Sequence, residues 1–309
     1  MKLPEELQFM ANARMTQKKT DVRLDGKLCI ITGATSGIGL EAAQRLAKGG
    51  ADLVLVCRNP AKAERVANEI KEKFQVKADI ILADFSNMEQ VRRAAKEILS
   101  NYEKLDILIN NTGVHMTQRV LTYEGHELVF AVNHLASFLF TRLLLERIKE
   151  SAPARILQIN SEGHRFSSVD IDDLTWEKRL YRGVRSYGQS KTAQLLTLWE
   201  LTEELSGSGV TINAMHPGAV VTNIGMNNGW LYRAYQKYLL FPLLKDPEIS
   251  GEAIYYLIAA PEMAEVSGKF YNLTNEEIPT AHARDRELGK KVWSISEALT
   301  GLSGEKDTL

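Results

Sequence analysis

From about residue 27 onward the chain alternates two hydrophobic rhythms. Leu28-Cys29-Ile30-Ile31, Leu53-Val54-Leu55-Val56-Cys57, Ala78 to Ala83, Leu105 to Ile109, Arg155 to Asn160 and Val210 to Met215 are short apolar runs. Runs of that length read as strands buried on both faces. Between them, apolar residues recur at helical spacing over Leu40 to Ala47, Ala61 to about Phe74, Met88 to about Tyr102, about Glu124 to Ile148, and Tyr187 to Leu205. Helices over Ser250 to Ala260 and Ala283 to Leu299 flank a short last strand, Gly268 to Asn272. Strand and helix in alternation, with short connections, imply an α/β fold. The expected architecture is a Rossmann-type, doubly wound, mainly parallel seven-stranded sheet with helices on both faces. Residues 1–26 fall outside this pattern and read as a loosely ordered N-terminal extension. Leu3, Leu7 and Met10 could instead form a short apolar stripe that clasps the domain or touches a membrane surface. Residues 27–309 read as one domain, with an irregular polar segment at 162–186 and a lid region at about 217–250.

The strand-to-helix junction at Thr32-Gly33-Ala34-Thr35-Ser36-Gly37-Ile38-Gly39 changes this picture from a fold to a site. Glycines let the backbone turn sharply and approach a ligand closely. The helix that follows presents unpaired N–H groups and a partial positive charge to a pyrophosphate. A Walker-type loop is excluded, because no Lys-Ser/Thr follows the last glycine. Arg58 stands nineteen positions past Gly39, beyond the second strand. Dinucleotide folds read the ribose about 20 positions along, with an acid for a free 2′-OH. An arginine there offers a charged fork to a 2′-phosphate.

Composition narrows the partners. Thirty-eight Lys and Arg against thirty-nine Asp and Glu give a formal charge of −1 over 309 residues, with no basic run. Nucleic acid is therefore not an expected partner. The two cysteines, Cys29 and Cys57, fall in strands and read as core residues of a chain kept in reducing cytosol. The six histidines show no paired ligand spacing, so no metal is expected.

Further polar residues collect at the strand ends. Tyr187 and Lys191, four apart, share one helical face. An ammonium beside a phenol favours the phenolate and brings a group of reference pKa about 10 nearer to working pH. Ser161 ends the fifth strand, at the edge where open α/β sheets bind ligands, and reads either as a turn cap or as a hydroxyl facing a substrate oxygen. Asn110-Asn111-Thr112-Gly113 ends the fourth strand at the same edge. Asn133 sits in an otherwise apolar helix, where an unpaired amide is costly. It is either satisfied by backbone or linked to Lys191 through a water.

Taken in order, these residues resemble the short-chain dehydrogenase/reductase family over nearly the whole length from Lys27. The matches are Thr32-Gly-x-x-x-Gly-x-Gly39, Asn110-Asn-x-Gly113, Asn133, Ser161, Tyr187-x-x-x-Lys191 and Pro217-Gly218-x-Val220-x-Thr222. The 26-residue interval from Ser161 to Tyr187, with Cys57-Arg58-Asn59 and Ser161-Glu162-Gly163-His164-Arg165-Phe166, looks most like the retinol-dehydrogenase-like branch. The resemblance implies a catalytic tetrad of Asn133, Ser161, Tyr187 and Lys191. It also implies a cofactor cradle of Gly33, Thr35, Ser36, Gly37, Ile38, Gly39, Arg58, Asn59, Asp84, Phe85, Asn111, Gly113, Tyr187, Lys191, Pro217, Gly218, Val220 and Thr222. Within it, Asp84 would lie near the adenine, and Val220 and Thr222 near the nicotinamide carboxamide. Two departures, Thr112 for an alanine and Asn160 for a serine, put the fine cofactor geometry in question.

The expected activity is reversible hydride transfer between a lipophilic alcohol or carbonyl compound (retinoid-, steroid- or fatty-aldehyde-like) and NADP(H), with NAD(H) as the alternative cofactor. Two rivals are a silent nucleotide sensor or scaffold of the same fold, and an enzyme acting on a nucleotide-sugar or prosthetic group. Residues 229–244 are dense in aromatic and aliphatic side chains. They read as core packing, as a membrane or partner contact, or as the wall of an apolar pocket. The expected location is cytoplasmic, with peripheral membrane contact if the second of these holds. The apolar circumference of the Tyr187 helix reads either as a homodimer contact or as deep burial.

Overall fold

The computed structural model describes residues 15–220, 224, 228, 229, 244 and 246–303. Their strands are β1 (Leu28–Thr32), β2 (Asp52–Cys57), β3 (Ala78–Leu82), β4 (Ile107–Asn110), β5 (Ala154–Ile159), β6 (Val210–His216), β7 (Phe270–Asn272) and β8 (Asn275–Glu277). They form one sheet in the order β3-β2-β1-β4-β5-β6-β7-β8. Every pairing up to β7 is parallel, and β8 returns antiparallel. The sheet thus has eight strands where the apolar pattern predicts seven. Asn275-Glu276-Glu277 carries no apolar run, and its pairing with β7 comes from a tight turn at Leu273 (φ 56°). The strand order reverses between β1 and β4, which opens a ligand crevice at the carboxyl ends of the strands.

The helices are α1 (Gly37–Lys48), α2 (Pro60–Phe74), α3 (Met88–Asn101), α4 (Leu128–Glu150), α5 (Gly183–Glu204), α6 (Glu248–Ala259) and α7 (Arg286–Thr300). Alternate strand residues face opposite layers. Cys29, Ile31, Leu53 and Leu55 pack against Ala42 and Leu46 of α1, Val66 and Ile70 of α2, and Ile254 of α6. Ile30, Val54, Val56 and Leu108 pack on the other side against Val91 and Ile98 of α3, Leu139 and Leu144 of α4, Leu196 of α5 and Val292 of α7. Both cysteines are buried free thiols, as their strand positions predict.

Three elements depart from the periodic reading. Helix α4 begins at Leu128, later than expected, because the Glu127 carboxylate caps it by accepting from Val129 and Phe130 N–H at 3.1 and 2.9 Å. Ala131–Leu135 within α4 is π-helical, a wide turn that places Asn133. Such bulges recur at functional sites. By length and composition α4 could cross a membrane, yet 83% of its most apolar window is buried in the protein, so it serves as a core helix. Second, Leu195, Leu196, Leu198 and Leu201 of α5 and Leu205 just past its end are buried, and Trp199 is partly buried against the same core. Burial inside one chain accounts for the pattern that also suggested a dimer face. Third, residues 15–26 are pinned rather than loose. Arg45 and Tyr255 donate to the carbonyls of Thr20 and Val22 at 3.0 and 2.6 Å, and Lys18 N–H donates to Thr274 Oγ1 at 2.9 Å. Polar side chains on α1, α6 and the β7–β8 turn hold this strap. Leu3, Leu7, Met10, Thr222 and nearly all of 229–244 lie outside the described residues.

Glu127 joins two elements that carry the site. Its carboxylate also accepts from Tyr181 Oη at 3.1 Å and Ser186 Oγ at 3.0 Å, tying the start of α4 to the approach and first turn of α5. Removing this side chain, itself 1% exposed, takes the acceptor from the Val129 and Phe130 N–H groups and Ser186 Oγ and leaves Tyr181 Oη the Met116 carbonyl at 3.4 Å. Glu127→Ala should therefore lower the unfolding free energy by about 3 kcal/mol, and Glu127→Gln by about half as much. Urea melts of the three proteins test this; losses below about 0.5 kcal/mol would contradict it.

Candidate active site

At the carboxyl ends of β1, β2, β3, β4, β5 and β6 lies one cleft of about 1020 Å³. The glycine turn forms its floor. Gly33 adopts φ +72°, and a Cβ there would stand 3.0 Å from Thr112 Oγ1. A Cβ on Gly39 would fall 2.4 Å from both the Gly33 carbonyl and Asn111 Nδ2, so only glycine lets α1 start this close to β4. Asn111 braces the turn, donating from its side chain to the Thr32 and Gly33 carbonyls at 2.8 and 3.2 Å. Thr32 Oγ1 in return accepts from the N–H groups of Asn111 and Thr112. Thr112, the first of the two departures, is accommodated in this turn through its N–H bond to Thr32 Oγ1. Ser36, the residue before α1, makes no capping hydrogen bond with its side chain. The first turn of α1 also holds no acidic residue, leaving its N–H groups directed to an anion.

Of the expected cradle residues, Gly33, Thr35, Ser36, Gly37, Ile38, Gly39, Arg58, Asn59, Asp84, Phe85, Asn111, Gly113, Tyr187, Lys191, Pro217, Gly218 and Val220 all line this cleft. Thr222 lies outside the described residues. Asn59 does double duty, capping α2 by accepting from Lys62 N–H at 2.9 Å while Pro60 opens the helix. The Arg58 side chain is 64% exposed and lies 4.0 Å from the Asp84 carboxylate. A dinucleotide fits this wall: a close-approach turn, an open helix N-terminus, and a cation, Arg58, just past β2.

Ser161 and Tyr187 meet over the turn that follows β5. Ser161 Oγ accepts from Gly163 N–H at 3.0 Å, and the hydroxyl lies close enough to the Tyr187 phenol to lower its pKa. The cap reading of Ser161 is the observed one. Burial pushes the Tyr187 pKa up to about 12, with the Ser161 bond opposing. Burial pushes Lys191 down to about 7. This differs from the expectation that Lys191 would lower the phenol. The Lys191 Nζ stands 5.6 Å from the ring centroid and is itself only partly charged near neutrality. It donates to the Ile159 carbonyl at 2.9 Å and to Gln194 Oε1 at 3.1 Å.

Asn133 stands behind the wall rather than in it. Its amide clasps Val114, accepting from the N–H at 2.8 Å and donating to the carbonyl at 3.1 Å, and donates to Ser190 Oγ at 2.9 Å. The backbone-satisfied reading is the observed one. Asn160, the second departure, locks Ser161 to α5. Its Oδ1 accepts from Ser161 N–H at 2.8 Å, and its Nδ2 donates to the Lys191 carbonyl and to Gln194 Oε1 at 2.9 and 3.0 Å. Ser190, Gln194 and Asn160 were not singled out as working residues from the sequence. Their signal was present: Gln189-Ser190-Lys191-Thr192-Ala193-Gln194 is a polar run in a buried helix. Behind Ser161, Arg165 pairs with both Glu162 and the buried Glu277 of β8. His115 stacks edge-on to Tyr187 at 5.7 Å, and burial lowers its pKa.

Comparison with known proteins agrees with this geometry. The family model described as short chain dehydrogenase matches residues 27–229. Human retinol dehydrogenase 13 is 38% identical over 284 residues, covering 90% of this chain and 86% of that protein. An uncharacterised protein from Mycobacterium paratuberculosis has a crystal structure that matches with a TM-score of 0.74 at 26% identity, over 93% of this chain and 98% of that one. A dehydrogenase/reductase from Sinorhizobium meliloti 1021 matches with a TM-score of 0.63 at 26% identity, over 82% and 94%. The chain belongs to the short-chain dehydrogenase family, as an NAD(P)-dependent oxidoreductase that acts on CH–OH and C=O groups.

Proposed function

We propose that this chain interconverts an alcohol and a carbonyl on a lipophilic small molecule, with NADP(H) as its preferred cofactor. The observation that carries this reading is the convergence of Ser161, Tyr187 and Lys191 on the same cleft as the glycine turn and Arg58. The bound dinucleotide supplies or accepts the hydride. In reduction, the Tyr187 phenol donates its proton to the developing alkoxide, and Ser161 Oγ orients that oxygen between them. In oxidation the same phenolic oxygen takes the proton back. Lys191 has three N–H donors, of which Ile159 and Gln194 engage two, so one remains to hold a ribose hydroxyl. Asn133 supports the wall by fixing Val114. Apolar wall residues (Val114, Leu128, Val132, Ile224 and Leu244) and the names of the retinol dehydrogenase relatives favour a lipophilic substrate.

Cofactor choice rests on Arg58. Its guanidinium is mostly exposed and makes only a 4.0 Å ion pair, so it can turn to a 2′-phosphate. Charge-assisted, bidentate contacts of that kind are strong. Arg58→Ala should weaken NADPH binding more than about tenfold, or about 1.4 kcal/mol, and leave NADH binding within about twofold. Equal affinity of the wild-type protein for the two cofactors, by fluorescence titration, would overturn the preference.

The acid is tested by Tyr187→Phe, which should remove turnover while cofactor affinity is kept, because the phenol acts on the reacting oxygen. A residual rate of a tenth of wild type, about 1.4 kcal/mol, would require another acid. The pH profile has a defined sign. Tyr187, at about 12, stays protonated through neutrality, while Lys191 titrates at about 7, as does Glu162 beside Ser161, whose carboxyl burial pushes up. Reduction should slow as pH rises through about 7 and Lys191 loses its proton, and Lys191→Met should lack that limb.

Chain length tests the substrate class. Each additional buried methylene adds up to about 0.8 kcal/mol of binding until the pocket is filled. With NADPH, kcat/KM for straight-chain aldehydes should rise from about four to about ten carbons. A flat or falling series would remove the lipophilic pocket.

A further inference from the structure

The sequence reading leaves room for a water between Asn133 and Lys191, and the structure fills that position with a side chain. Gln194, one helical turn beyond Lys191 on α5, is 3% exposed. Its Oε1 accepts from Lys191 Nζ at 3.1 Å and from Asn160 Nδ2 at 3.0 Å. Its Nε2 donates to the Asn133 carbonyl. That carbonyl also accepts from Ser137 Oγ at 2.8 Å. A carbonyl oxygen has two lone pairs, and both are engaged. No acceptor position is left at Asn133 for a bridging water.

We propose that Gln194 is a positioning residue whose carboxamide takes the place of a relay water, fixing Lys191 Nζ against the π-helical turn of α4. The inference deepens the hydride-transfer reading above and rests on it. A carboxamide holds both partners in place, but unlike water it does not readily pass a proton between them. Proton supply to Tyr187 therefore does not run along the Asn133 carbonyl in this chain. The titratable groups facing Lys191 are Tyr187 on its own helix and His216 from β6, and burial holds His216 at about 3, so it is neutral. Gln194 also borders a small cavity of about 20 Å³, shared with Asn110, Ser137, Thr197 and Leu198. Such a space admits one water, and Asn110 Oδ1 on its wall is buried without a partner. Shortening Gln194 would join this space to the gap between Lys191 and Asn133.

Two substitutions separate a bridge from a packing role. Gln194→Ala makes room for water in a polar surrounding, and Gln194→Leu fills the volume with a group that bonds neither partner. With NADPH and the best aldehyde of the chain-length series, we expect kcat to fall by about tenfold or more in Gln194→Leu and by no more than about threefold in Gln194→Ala. A packing role gives the opposite order, since deletion leaves a cavity and leucine does not. Crystal structures of the cofactor-free variants give a second readout. Gln194→Ala should show a water between Lys191 Nζ and the Asn133 carbonyl, and Gln194→Leu should show none. If the leucine variant fails to fold, Gln194→Met replaces it. Leucine equalling or exceeding alanine in kcat, both variants within about twofold of wild type, or a dry alanine structure would each overturn the proposal. A wild-type protein without NADPH-dependent turnover would instead contradict the functional reading. In that case the crystal water still decides the bridge.

Discussion

Between helix α5 and the turn after β5 there is no room for a side chain. A Cβ on Gly163 would stand 2.7 Å from Tyr187 Cε1, and one on Gly188 would stand 2.7 Å from the Gly163 carbonyl. Real Cβ atoms do not approach that closely, so the two glycines let helix and turn touch through backbone. That contact brings the phenol of Tyr187 to the Ser161 hydroxyl at the sheet edge. The rest of the catalytic end is built around it. Asn160 ties Ser161 to the Lys191 carbonyl, Glu127 ties the start of α5 to α4, and Arg165 ties the turn to β8.

The same contact forces polar groups into the interior, and the structure meets that cost by pairing them. Lys191, Asn133, Ser190, Gln194 and Asn160 are all buried. A buried polar network is favourable only when its members are satisfied, and here each of these side chains has a partner. Satisfaction by amides and carbonyls is weaker than by a carboxylate, which leaves burial as the main influence on Lys191 and holds it near 7. Geometry and titration thus have one origin, the burial of α5 between the sheet and α7.

Much of this was legible in the sequence, for identifiable reasons. Parallel strands buried on both faces leave unbroken apolar runs, so β1 to β6 could be placed by eye. The glycine turn and the Tyr187–Lys191 pair are local patterns fixed by backbone geometry and helical pitch. What was missed is non-local or aperiodic. The strand β8 has polar residues and exists through its pairing with β7. The π-helical turn at Ala131–Leu135 adds width without disturbing the apolar pattern around it. Glu127, Asn160 and Gln194 act through partners far along the chain, and no spacing rule announces such contacts. The pKa of Tyr187 was misjudged because a motif gives proximity but not burial.

The central claim is that this cleft moves a hydride between a nicotinamide and a carbonyl carbon. It is tested most directly by following the label. The wild-type protein is incubated with NADPH carrying deuterium at the transferable position of the nicotinamide, and with a long-chain aldehyde. The alcohol product is then read by mass spectrometry and NMR. The account predicts one deuterium on the carbinol carbon of the alcohol, and loss of labelled product in Tyr187→Phe. An alcohol formed without deuterium at that carbon, from cofactor deuterated on both faces, would contradict it.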